Sequence, residues 1–201
     1  GDEFSGVGIM KMNEGLDTGD ILLEEKIKIN NNDNLNTLSE KLSILSAKLL
    51  LNATSLIEEN INKNNKPQLI KQNTLGREIT YARMIEKSDY KVIWSIEAFK
   101  ISQKVKGLYP RVNTTFGGKN LKIIKIKVLS SDEVKNEKYL LMSNYSKPGI
   151  ILAVIENEGI IIATKTDPII LLEAKLEGKN ISSKNQLIQQ LKPTVGDYFS
   201  D

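Results

Sequence analysis

Apolar residues alternate with small or polar ones at the start of the chain. Val7 and Ile9, continued by Met10 and Met12, predict a strand by their period of two. Two glycines, Gly15 and Gly19, then flank the tripeptide Leu16-Asp17-Thr18 within the stretch Asn13 to Asp20, which reads as a tight loop. A second strand is expected over 20–29, where Ile27 and Ile29 alternate with Lys26 and Lys28. After the Asn-rich turn at 30–34, the apolar period changes. Leu38, Leu42, Leu45, Leu49 and Leu56 recur at helical spacing, and Ile44, Ala47, Leu50 and Leu51 widen the stripe. A helix is therefore expected over 35–60, capped by Asn34 or Asn36, with one broad face buried against a sheet.

Residues 62–73 are polar with Pro67 among them and read as a linker. Trp94 sits among apolar residues just before a helix expected over 96–106, where Ser95 is positioned to cap it. We assign Trp94 to a core rather than to a stacking surface. From Val112 the pattern is β, with a hairpin around Gly117-Gly118. Its second strand points Ile124, Ile126 and Val128 inward and Lys125 and Lys127 outward, with Lys119 and Lys122 preceding them. Short apolar runs from 150 to 176, with turns about ten residues apart, predict a small barrel or sandwich. A terminal helix with a serine cap follows, starting at Ser182-Ser183.

Composition narrows the chemistry. With no cysteine, a disulfide framework and a thiolate metal site are excluded. With no histidine, the commonest general base and metal ligand are also missing, so chemistry by these 201 residues rests on carboxylates, lysines or tyrosines. No apolar run is long enough to span a bilayer as a helix. The net charge of +3 is unevenly placed: residues 1–90 carry net −3, residues 91–150 net +8 and residues 151–201 net −2. A basic middle fits an anionic partner, and it equally fits a solvated lysine-rich surface. Lysines on one strand face stand about 7 Å apart, which resembles phosphate spacing along a nucleic acid.

In this setting Asp17 has two readings. It is a turn residue of ordinary Asx type, or it is a general acid or base whose pKa burial would raise. The residue pattern leaves both open.

The stretch Gly6 to Leu22, GVGIMKMNEGLDTGDIL, resembles a segment of the methionyl-tRNA formyltransferases, with Gly8 and Asn13 as its departures. Ile79-Thr80-Tyr81-Ala82 with Ile85, Lys87 and Asp89 resembles a second element of that family. There, the first family lysine falls on Met84 beside Arg83, and the usual aspartate falls on Ile93. Lys106 stands at a family arginine position. The segment from Pro148 through Glu177-Gly178-Lys179 to Gly196 resembles the family's C-terminal domain.

The resemblance implies an α/β plus all-β architecture. The C-terminal part of a Rossmann-like formyltransferase domain would span 1–72, a linker 73–94 and an OB-like β-barrel domain 95–201. It implies formyl transfer from 10-formyltetrahydrofolate, as donor substrate and without a metal, to the amino group of initiator methionyl-tRNA. Asp17 would be catalytic, and Met12, Asn13, Glu14, Gly15 and Leu16 would line the folate pocket. Arg83, Lys87, Lys106, Arg111, Lys119, Lys122, Lys125 and Lys127 would meet tRNA. The family's Asn, His and SLLP loop are expected upstream of these residues, so the chain alone is expected to be inactive. A cytoplasmic monomer without membrane contact is expected. The alternatives are a 10-formyltetrahydrofolate-dependent transferase acting on a sugar nucleotide or purine precursor, and a non-catalytic nucleic-acid-binding module.

Overall fold

Alternation over the first ten residues does produce a strand. In the computed structural model, which describes residues 1–129 and 147–200, β1 (Phe4–Met10) pairs antiparallel with β2 (Ile21–Lys28), with a bulge between Ile9 and Met10. Helix α1 (Leu35–Asn62) lies against this hairpin. Its start is set by a capping box. The Asn34 side chain accepts from the N–H groups of Asn36 and Thr37, and the Thr37 hydroxyl accepts from the Asn34 N–H. Beside it, buried Asp33 receives Lys41 Nζ at 2.6 Å and the Asn30 N–H at 2.8 Å. The Lys41 and Asn30 bonds hold its carboxyl below the usual carboxylate range.

The stripe of α1 that turns inward is narrower than the sequence pattern implies. Leu45, Leu49 and Ala53 are buried, whereas Ile44, Leu50, Leu51 and Ile61 are exposed. Within these residues α1 packs against β1 and β2, which cover one side of it. The chain then returns to the hairpin. Ile70 exchanges both backbone hydrogen bonds with Ile21, a short 3-10 turn spans Gln72–Thr74, and Arg77 clamps Glu24 through two contacts of 2.6 and 2.5 Å. The bond to Arg77 lowers the Glu24 pKa.

These residues form one compact unit, Asp2–Met84; a second begins at Ile85. Its first elements are a 3-10 turn at Lys87–Tyr90 and helix α2 (Ala98–Gly107). The expected cap by Ser95 is replaced by a tertiary one: Glu97 is the N-cap, without a side-chain cap bond, and the Ala98 N–H donates to Thr166 Oγ1 at 3.1 Å. The Glu97 carboxylate accepts from its own backbone N–H and pairs with Lys100 and Lys165, which lowers its pKa to about 2.

An antiparallel sheet follows, in the order β3 (Asn113–Phe116), β4 (Lys119–Val128), β7 (Ile169–Leu176), β6 (Gly159–Ile162), β5 (Ile151–Ile155). Strand β8 (Ile181–Ser183) pairs with β7 and leads into α3 (Lys184–Leu191). Ser183 precedes α3 without a side-chain cap bond, and Ser182 instead donates to Gln190 Oε1. The C-terminal segment joins the two ends of the sheet, since Ser200 bridges to Thr115 of β3 and Tyr198 bridges to Ile150. The core lies inside this arrangement, around Trp94, Ile101, Leu121, Ile160, Leu187 and Phe199. Trp94 is buried and donates to Thr114 Oγ1 at 3.1 Å, so its polar edge is satisfied in the core.

Candidate functional site

The loop between β1 and β2 is built by its own polar residues. The Lys11 N–H donates to the Asp20 carbonyl at 2.9 Å and closes the neck of the loop. Inside it, Asn13 Oδ1 accepts from the Gly15 N–H at 3.1 Å and from the Thr18 hydroxyl at 2.7 Å. Gly19 must lack a side chain: a Cβ there would stand 1.8 Å from the Lys11 carbonyl oxygen. Asp17 takes a left-handed backbone, φ +54°, which costs a residue with a Cβ about 1 kcal/mol. Gln72 then reaches in from the 3-10 turn and donates to the carbonyls of Asp17 at 2.8 Å and Gly19 at 2.6 Å.

Met12, Asn13, Glu14, Gly15, Leu16 and Asp17 thus share one short loop, all exposed. Exposure of Asp17 departs from the burial that the sequence pattern suggests for a general acid or base: the loop lies outside the apolar runs that flank it. Leu16 is 94% exposed and Met12 86%, so the loop holds apolar side chains in the open beside an accessible carboxylate. Gln72 escapes a pattern-based search because it lies in a polar stretch without periodicity.

The second candidate surface is basic. Strict alternation would put Lys122 on the same side as the buried Ile124. The register of β4 against β7 shifts between Ile123 and Ile126, and this bulge lets Lys122, Lys125 and Lys127 all be exposed. Lys122 stands directly across from Lys175 of β7, and Lys125 lies 3.9 Å from Glu173. Lys175 carries no motif that marks it. Lys119 is exposed at the start of β4. Arg111 lies 5.8 Å from the Tyr90 ring centroid and donates to its hydroxyl. Lys106 is half-buried on α2, and Lys87 is exposed in the turn before Tyr90. Arg83 belongs to the first unit, where it donates to the Met84 carbonyl. Val92 and Trp94 lie in the core of the second unit.

Among the described residues, no group of three or more acidic, His or Cys side chains is placed to hold a metal ion. No helix among them is long and apolar enough to cross a membrane.

Comparison with known proteins follows these two units. A family model described as "Formyl transferase, C-terminal domain" matches residues 84–192, and one described as "Formyl transferase" matches residues 1–54. A protein of Prochlorococcus marinus (strain MIT 9312) named methionyl-tRNA formyltransferase is 85% identical over the whole chain, and one of Synechococcus sp. (strain CC9605) with that name is 40% identical. The chain spans about 61% of the first relative's length and 62% of the second's. Among solved structures, HypX from Aquifex aeolicus in complex with tetrahydrofolic acid has a TM-score of 0.63 at 15% identity, covering 98% of this chain and 32% of that one. An N-formyltransferase from Helicobacter canadensis, in complex with folinic acid and dTDP-3-aminofucose, has a TM-score of 0.51 at 20% identity, covering 85% of this chain and 56% of that one. At these identities the two structures speak for the fold alone. The C-terminal domain model covers more than half of the 201 residues, and the chain therefore belongs to the formyl transferase family.

Proposed function

We propose that this chain is part of a methionyl-tRNA formyltransferase, which moves a formyl group from 10-formyltetrahydrofolate to the amino group of initiator methionyl-tRNA in the cytoplasm. The observation that carries the reading is the loop at 11–20, where a carboxylate, exposed apolar side chains and tightly held backbone occur together. Family membership supplies the reaction class.

In this reading the amine forms the new C–N bond, the donor's C–N bond breaks to release tetrahydrofolate, and the proton that leaves the amine ends on the donor's departing nitrogen. Asp17 takes up or relays that proton through water, or orients a base that does. Met12 and Leu16 offer apolar surface to the flat pterin ring, and the backbone around Asn13, Glu14 and Gly15 offers polar edges. Groups that stabilise developing negative charge on the formyl oxygen, and a histidine base, are contributed from outside these 201 residues. The first unit is the catalytic part. The second, read as an OB-like barrel, holds tRNA through Lys119, Lys122, Lys125 and Lys127, assisted by Lys87, Lys106, Arg111 and the preceding Arg83. The protein works as a monomer.

The test has two arms. The purified chain is titrated with methionyl-tRNA at two salt concentrations, and formyl transfer is measured with and without an upstream extension taken from the matching Prochlorococcus relative. Salt-sensitive binding is expected, with transfer only in the extended protein. Binding with no transfer by the extended protein would instead leave a nucleic-acid-binding module.

A further inference from the structure

We propose that Gln72 is a positioning residue that holds Asp17 in its working conformation, an inference that rests on the reading of Asp17 as a participant in the transfer. The Gln72 side-chain nitrogen has two hydrogens, and two loop carbonyls receive them: Asp17 at 2.8 Å and Gly19 at 2.6 Å. The Asp17 carbonyl defines the peptide plane that follows Asp17. Holding it restrains the Asp17 backbone and with it the direction in which the Cα–Cβ bond that carries the carboxylate leaves the chain. Asn13 Oδ1 in turn accepts from the Gly15 N–H before Asp17 and from the Thr18 hydroxyl after it. Asp17 is therefore bracketed on both sides while its backbone sits at a positive φ that an unrestrained aspartate seldom keeps.

Gln72 is itself held firmly. Two backbone bonds of 2.8 Å join Ile70 to Ile21, and Arg77 is tied to Glu24 on the far side of the turn. The amide thus acts as a strut between the return segment and the loop, across 55 residues of sequence. A glutamate at this position would keep the length and lose both donors, placing a carboxylate against two carbonyl oxygens.

The experiment compares Gln72→Glu, Gln72→Met and Asp17→Asn, alone and combined, in the chain extended with the upstream segment of the Prochlorococcus relative. Transfer by both Gln72 variants should fall on the order of tenfold to a hundredfold in kcat with KM for the folate donor nearly unchanged, as expected when a reacting group is misplaced. Adding Gln72→Met to Asp17→Asn should cost little more, because both changes disable one device. A kcat for Gln72→Met within about twofold of the parent, with Asp17→Asn strongly impaired, would overturn the proposal. An Asp17→Asn protein with undiminished kcat would instead remove the catalytic reading of Asp17. NMR of the 201-residue chain covers the case of a variant that folds poorly in the extended protein. There, Gln72→Met should shift the Asp17 backbone resonances away from left-handed values, and unchanged resonances would also overturn it.

Discussion

Gly19 shows how little freedom the loop has. Its missing side chain lets the chain pass the Lys11 carbonyl, where a methyl group would sit 1.8 Å from the oxygen. The obstacle is backbone, at the neck closed by the Lys11–Asp20 bond. Gly19→Ala should therefore open the neck and destabilise the first unit by about 1–3 kcal/mol, measured by urea denaturation followed at the far-UV helix signal. Asp17, two residues away, should lose its positive φ in the same variant. The loop is legible from its residue types, since Gly, Asn and Asp crowd together between apolar runs. Its clamp is not, because Gln72 is 55 residues from Asp17 and looks like any other polar linker residue. Exposure of Asp17 is equally invisible in the sequence, because flanking apolar residues say nothing about which way a loop projects.

At the scale of elements, β4 sets stability against the tRNA binding proposed for it. Lys122 faces Lys175 across the β4–β7 pair, and like charges directly opposite on a sheet are unfavourable. A phosphate between them would relieve the repulsion. Lys175→Glu should thus stabilise the second unit by about 0.2–1 kcal/mol in low salt. The same change should weaken methionyl-tRNA binding and flatten its salt dependence. Thermal melts and a salt titration of binding measure the two effects, and binding unaffected by the change would remove this face from the tRNA-contacting surface. The bulge between Ile123 and Ile126 is what lets Lys122 be exposed along with Lys125 and Lys127. A strict period of two misses it. The start of α2 is misjudged for a similar reason: the Ala98 N–H is satisfied by Thr166 from a distant turn, so a local serine cap is not needed.

For the molecule as a whole, the end of the chain matters more than its composition indicates. Ser200 and Tyr198 join the two edges of the second unit's sheet, and Phe199 between them is buried against Trp94 at 5.7 Å and Phe116 at 4.7 Å. Its N–H donates to the Gly149 carbonyl. Phe199→Ala removes the ring that packs these aromatics together and should cost about 3–5 kcal/mol, read as a lower melting temperature with Trp94 fluorescence as the probe. A melting temperature within a degree or two of the parent would show that the junction tolerates the loss.

Periodicity and residue type alone determined the longer strands, the long helix, the glycine-bounded loop and the lysine-rich strand, but not β8, whose Ser182 and Ser183 read as the start of the last helix. Each of these depends on neighbours a few residues apart. Tertiary structure alone decided which stripe of α1 is covered, where β4 bulges, what starts α2, how the last residues join the sheet, and that Gln72 grips the backbone of Asp17. These outcomes depend on groups brought together from 45 or more positions apart, or on which side of α1 the strands packed against it cover, and no local pattern encodes them.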